Sequence, residues 1–135
     1  MLKFKLPLIV LVAFLTFSQF SYAASAPNLV YNISFTPTTP NILKFGKNVT
    51  VRFSYDTNQA AGVRIFARPF SGAALTPNYA ACPSGIYAAP TGTGSCSFTI
   101  NSLNANVNRV RFQIYDATLT NLLYEIFVPV SFSFR

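Results

Sequence analysis

The chain contains no histidine and no tryptophan, only three acidic side chains, and two cysteines. Each shortage removes a class of function. Without histidine, neither a Ser-His-Asp nor a Cys-His nucleophile can be assembled, and imidazole metal ligands are excluded. Glycoside hydrolysis usually needs two carboxyl groups facing each other across the substrate, and Asp56, Asp116 and Glu125 leave few pairings. A Ser-Lys dyad would have to use Lys44 or Lys47, and neither stands in a recognisable motif. Cys82 and Cys96 are too widely spaced for a redox Cys-x-x-Cys pair, and a metal would need further ligands. These shortages predict a non-enzymatic protein without a metal or other cofactor.

What is present first concerns export. Lys3 and Lys5 precede an apolar run from Leu6 to Phe17, and polar residues return at Ser18, Gln19 and Ser21. Ser21-Tyr22-Ala23 then places small residues at the −3 and −1 positions of a cleavage site. This order is that of a secretory signal peptide, and the run is short for a transmembrane helix. Cleavage is placed after Ala23, because a cut after Ala26 would put Pro27 behind the scissile bond. Residues 1–23 are therefore read as signal peptide and 24–135 as one domain, whose 112 residues suffice for a single modest core. No cysteine near the cleavage site suggests a lipid anchor, and no later apolar stretch asks to span a bilayer. The predicted location is secreted or periplasmic, and there Cys82 and Cys96 read as one disulfide. It would close a loop of about 15 residues, which the chain-entropy model values at roughly 3 kcal/mol.

Alternation dominates the remainder. Leu29, Tyr31, Ile33 and Phe35 share one face of a first strand, ended by Pro37 and Pro40. Val49, Val51, Phe53 and Tyr55 alternate with Thr50, Arg52 and Ser54, and Val63, Ile65 and Ala67 with Arg64, Phe66 and Arg68. From Pro69 to Ser95 glycine and proline interrupt the pattern, leaving a brief extended piece at Ile86–Ala88. Cys96, Phe98 and Ile100 open the next strand, with Cys82 tying the preceding loop to its start. Val110, Phe112 and Ile114 alternate with Arg109, Arg111 and Gln113. A last segment from Leu122 to Phe134 has the inward set Leu122, Tyr124, Ile126 and Val128, with an interruption at Pro129. Period-two patterns bounded by turn residues are half-buried strands. The predicted fold is an all-β, antiparallel immunoglobulin-like β-sandwich of about seven strands, with a small closed barrel as the alternative.

The run Val63-Arg64-Ile65-Phe66-Ala67-Arg68-Pro69-Phe70-Ser71-Gly72, with Leu75-Thr76-Pro77-Asn78-Tyr79-Ala80, resembles a module of secreted bacterial proteins. So do Val110–Asp116 and Leu123–Val130. The module belongs among immunoglobulin-like or fibronectin-III-like sandwiches. The resemblance implies fold and export and brings no catalytic motif.

The arginines lead to function. Arg64 and Arg68 share the outward side of one predicted strand, and Arg109 and Arg111 that of another. In the predicted topology these strands are neighbours, so four guanidinium groups would gather on one face, with Phe66 between the first two and Phe127 beside the others. Guanidinium forks chelate carboxylates and phosphates and stack on aromatic rings. After signal removal, eight cationic side chains stand against three acids, a net charge of +5. The predicted partner is an anionic glycan or another acidic cell-surface component, bound by Arg64, Phe66, Arg68, Arg109 and Arg111. Nucleic acid is not predicted, since the chain is exported and lacks a nucleic-acid motif. An in-phase last hairpin would set Arg111 opposite Glu125 and Arg109 opposite Phe127, leaving solvated side chains as the plainer reading.

Three further features carry expectations. Asp56 and Asp116 end two strands at one pole, where they either make turns or, with Asn58 and Asn121, collect oxygens around calcium; the turn reading is preferred. Asn32-Ile33-Ser34 and Asn48-Val49-Thr50 match the glycosylation sequon. The terminal Val130–Phe134 alternates like a strand and is expected to complete its own sheet. The alternative function is a structural subunit that uses this segment as an edge strand.

Overall fold

The computed structural model describes residues 28–135; the segment read as a signal peptide lies outside the described residues. The strands are β1 (Leu29–Thr36), β2 (Asn41–Leu43), β3 (Val49–Asp56), β4 (Val63–Ser71), β5 (Ala74–Leu75), β6 (Tyr79–Ala81), β7 (Thr91–Ile100), β8 (Ala105–Asp116) and β9 (Leu122–Phe134). They form two sheets, ordered β1-β3-β7-β6 and β2-β9-β8-β4-β5. Setting aside the short β2 and β5, the first, second, fifth and fourth strands face the seventh, sixth and third. That is the connectivity of an immunoglobulin-like sandwich. All pairings are antiparallel except β2 with β9.

Burial follows the period-two pattern because successive side chains leave a strand on opposite faces. Val49, Val51, Phe53 and Tyr55 are buried on β3, Val63, Ile65 and Ala67 on β4, and Val110, Phe112 and Ile114 on β8. Cys96, Phe98 and Ile100 on β7 and Phe132 and Phe134 on β9 join them in the core between the two sheets. Among the described residues no helix is long and apolar enough to cross a membrane.

The structure departs from simple alternation where the backbone inserts a residue. In β1 the buried residues are Val30 and Phe35, and Tyr31 is exposed, not Leu29, Tyr31, Ile33 and Phe35 together. The pairing with β3 breaks between Tyr31 and Ser34, where Asn32 adopts φ 50°. Such a bulge reverses the facing of every residue beyond it, and asparagine tolerates the left-handed backbone. On β9, Leu122 is 47% exposed rather than inward, because the register with β8 breaks between Ile114 and Tyr115. Pro129 does not interrupt β9, which continues to Phe134. Its last residues pair with β8 on one side and β2 on the other, so the terminal segment completes its own sheet.

The glycine- and proline-rich stretch is more ordered than its composition suggests. β4 runs through Pro69 to Ser71, β5 returns as a hairpin around Gly72 (φ 65°), and β7 begins at Thr91. Cys96 therefore lies within β7, not at its start. It is bonded to Cys82, which follows β6, with Cα atoms 5.6 Å apart, an ordinary disulfide separation. Beyond Cys82 the chain crosses from one sheet to the other. Ile65 donates its N–H to Ser84 Oγ at 2.8 Å, and Tyr87 makes a single bridge with Val63 in place of a strand at Ile86–Ala88. Residues 82–88 thus close one side of the sandwich.

Two glycines permit this closure. Gly94 and Gly92 stand directly opposite Phe53 and Tyr55, whose rings lie over them and meet Tyr87, with centroids 6.0 and 5.1 Å from its ring. A Cβ on Gly94 would sit 2.5 Å from the Phe53 ring. Forcing a methyl group into a packed core typically costs about 1–3 kcal/mol. Gly94→Ala is therefore expected to destabilise by that amount. Gly85→Ala, where a Cβ meets nothing within 4 Å, is expected to stay within about 0.5 kcal/mol of the parent. Urea unfolding of the two variants measures the contrast.

Candidate functional site

β4 and β8 are neighbours in the five-stranded sheet, and their register sets the outward face. Arg64 stands opposite Tyr115, Phe66 opposite Gln113, Arg68 opposite Arg111 and Phe70 opposite Arg109. Four arginines and Phe66 thus share the outward side of the sheet, as their strand positions predict, and Phe70 joins them there. Their roles differ.

Arg64 is committed to the fold. Its Nε–H donates to the Ala117 carbonyl at 2.9 Å and its Nη1 to the Ser84 carbonyl at 2.8 Å. It ties the β8–β9 turn and the closing segment to the sheet. Arg68 spends Nη1 on the Ala67 and Cys82 carbonyls, both at 3.2 Å, and its guanidinium lies 5.0 Å from the Phe66 ring centroid. Arg109 bonds the Gly72 carbonyl through Nη2 and lies 4.5 Å from the Phe127 centroid and 5.7 Å from that of Phe70. Arg111 lies 4.8 Å from the Phe70 centroid. It makes no hydrogen bond among the described residues, and its Nε is buried without a partner.

Two guanidinium groups directly opposite across an antiparallel pair repel by about 0.2–1 kcal/mol. The ring contacts contribute about 0.5–1 kcal/mol each, enough to offset that repulsion. They do so through the ring faces, which leaves the terminal N–H groups of Arg111 and the unspent ones of Arg68 available, the Arg111 Nε being buried. Beside this pair lies a concavity of about 360 Å³, lined by Phe66, Arg68, Tyr79, Arg111, Gln113, Tyr115 and Leu119. Phe66 and Tyr115 meet edge to face with centroids 6.0 Å apart and form one wall. A larger concavity of about 480 Å³ on the other sheet contains one cation, Arg52, which donates to Thr36 Oγ1. Among the described residues, only the β4–β8 face opposes two guanidinium groups.

The last hairpin is shifted two residues from the in-phase expectation. Arg111 stands opposite Phe127 and Arg109 opposite Pro129, while Glu125 stands opposite Gln113 and accepts its Nε2–H at 2.7 Å. The carboxylate expected beside Arg111 is thus engaged elsewhere, because Tyr115 with Leu122, the pair nearest the turn, already lies one residue out of phase and the break beside it consumes one more residue of β9.

The alternation missed Phe70, which is 6% exposed although it sits on the outward face beneath Arg109 and Arg111. Continuing the β4 phase past Pro69 would have revealed it. Continuing the Arg109–Arg111 phase likewise reaches Tyr115. Tyr79 and Leu119 had no signal of this kind, since they arrive from β6 and from the turn after β8.

Of the two strand-end aspartates, Asp116 behaves as a turn residue, whereas Asp56 bonds across to β1. Asp56 accepts the Tyr31 hydroxyl at 3.2 Å. Asp116 accepts from Thr118 Oγ1, the Thr120 and Asn121 amides, and Asn121 Nδ2, the last at 2.8 Å. Among the described residues no group of three or more histidine, cysteine or acidic side chains could hold a metal. Desolvation pushes the Asp116 carboxyl up, but hydrogen bonds from the Asn121 side chain, the Thr120 and Asn121 amides and Thr118 together outweigh it and hold it below its ordinary value. A depressed folded-state value stabilises the fold above the unfolded pKa of about 3.9, and that contribution disappears as pH falls through the folded value. Asp116→Ala should therefore melt below the parent at pH 7, with the gap closing as pH is lowered below about 4. Thermal melts from pH 7 to pH 2 check the sign.

No protein-family profile, curated protein or solved structure matches the chain.

Proposed function

We propose that this is an exported, non-catalytic binding module that recognises an acidic glycan or similar carboxylate- or sulfate-bearing polymer at the β4–β8 face. One observation carries the reading: Arg68 and Arg111 oppose each other across the strand pair, with Arg111 making no hydrogen bond among the described residues. An anion arriving there would meet two guanidinium forks already held by the Phe66 and Phe70 rings, so little ordering remains to oppose binding. The Phe66–Tyr115 wall offers an apolar surface for the body of the ligand. Arg109, with Phe127, extends the cationic track along β8, while Arg64 anchors the face through the Ala117 and Ser84 carbonyls. The Cys82–Cys96 bridge fits an oxidising compartment, in keeping with the signal-like amino terminus. We read the module as one of the immunoglobulin-like or fibronectin-III-like secreted domains, a reading that the strand connectivity and the sequence runs noted above support. The alternative, a structural subunit joined through its terminal residues, lacks a free edge at that point because β2 covers it.

The test is an array of uronate- and sulfate-bearing glycans read at rising salt. The parent should bind, with signal falling as salt screens the charges. Hydrogen bonds to charged groups contribute about 1.5–3 kcal/mol, so Arg111→Ser should weaken binding roughly 10- to 100-fold. Arg52→Ser, on the other sheet, should leave it unchanged. Binding that ignores both salt and the joint Arg68→Ser and Arg111→Ser change would refute the assignment.

A further inference from the structure

The outer face of the β1-β3-β7-β6 sheet carries a second set of polar groups. β7 alternates Thr91, Thr93, Ser95 and Ser97 with Gly92, Gly94 and Cys96. The glycines and the cysteine take the inward positions opposite Tyr55, Phe53 and Val51, so the hydroxyls stand outside. The same register puts Ser54 between Tyr31 and Thr93, and Arg52 between Ser34 and Ser95. At the bulge, Asn32 and Ile33 together face the single residue Phe53, and bulges re-aim side chains beside binding sites. The concavity of about 480 Å³ opens there, with Asn32, Arg52, Ser54, Thr93 and Ser95 among its lining residues.

Polar groups around this concavity close on near neighbours. Thr50 Oγ1 and Ser97 Oγ lie 3.1 Å apart, and the Tyr31 hydroxyl donates to Asp56 at 3.2 Å. Arg52 spends one N–H, from Nη1 to Thr36 Oγ1 at 3.3 Å. The side chains of Asn32, Ser54, Thr93 and Ser95 bond to nothing among the described residues.

Each of those four both donates and accepts hydrogen bonds, and the remaining N–H groups of Arg52 add donors. An oxyanion only accepts, so it would leave the acceptor capacity of all four unmet. A sugar hydroxyl donates and accepts, and meets both. Tyr31, 38% exposed and held at its hydroxyl by Asp56, stands in the row of Ser54 and Thr93. Its ring offers a flat apolar surface beside the polar groups.

We propose that this concavity is a second binding site, which takes a neutral saccharide. The Arg52 fork holds adjacent hydroxyls of the sugar, Ser54, Thr93, Ser95 and Asn32 bond its other polar groups, and Tyr31 packs against the ring. The two sheets then select by different chemistry, anionic charge on the β4–β8 face and hydroxyl arrangement here. Neither site needs the other.

Amide NMR titration of the protein with cellohexaose, maltohexaose, xylohexaose and mannohexaose, each at low and high salt, tests this. At least one of them should shift the Ser54, Thr93 and Ser95 resonances equally at both salts and leave Arg68 and Arg111 unmoved. Removing one hydrogen bond between neutral groups should make Ser95→Ala bind roughly 2- to 10-fold more weakly, and Arg52→Ser should lose at least as much. Arg68→Ser should bind as the parent does. Four sugars that leave those resonances in place overturn the proposal. Shifts seen only with a galacturonate oligomer, and fading with salt, also overturn it, since they mark an oxyanion site. Should Arg52→Ser fail to fold, Ser95→Ala decides, because it trims an exposed hydroxyl; affinity equal to the parent's would reject the site.

Discussion

The register between β4 and β8 is the constraint on which the candidate site depends. Ile65 stands opposite Ile114 and Ala67 opposite Phe112, all buried. Because side chains alternate, burying those four fixes Arg64, Phe66 and Arg68 on the outside beside Tyr115, Gln113 and Arg111. A slip of one residue on either strand would drive guanidinium groups into the core. Hydrophobic burial therefore enforces the Arg68–Arg111 juxtaposition, although electrostatics alone would oppose it. The aromatic rings on the same face make that arrangement tolerable without consuming its hydrogen-bonding capacity.

The same strand organises the closing segment. Arg64 holds the Ser84 carbonyl, Arg68 the Cys82 carbonyl, and Ile65 N–H the Ser84 hydroxyl. Cys82 is in turn fixed to β7 through the disulfide. The crosslink, the two arginines and the Tyr87 bridge pin residues 82–88 where an ordinary loop would hang free. Gly92 and Gly94 leave room for the Phe53, Tyr55 and Tyr87 rings that fill the interior beneath it. The glycines that make this region look structureless are thus what allow three aromatic rings to pack there.

How much could be read in advance depended on whether a feature obeyed period two. The inward sets of β3, β4 and β8 are simple alternations, and with them came the sandwich and the clustering of Arg64, Arg68, Arg109 and Arg111 on one face. The failures fall where the backbone adds a residue. The bulge at Asn32 turned Tyr31 outward, and the break beyond Ile114 turned Leu122 outward and, together with the offset of the turn itself, shifted Glu125 from Arg111 to Gln113. No local composition rule announces such an insertion, since asparagine is as common in turns. Nor does a sequence say which N–H groups will find backbone carbonyls. Arg64 and Arg111 look alike in the alternation, yet one is spent on two carbonyls and the other on none.

That difference also locates where the monomer remains unsatisfied. On the β2-β9-β8-β4-β5 sheet, Arg111 holds unpaired donors and β9 holds an unpaired edge. On the other sheet the long polar side chain Arg52 already has its hydroxyl partner. The β9 edge is blunted by the charge of Glu125, by Pro129 and by the register breaks on either side of Tyr124–Pro129, so the unspent donors of Arg111 are what its sheet still offers.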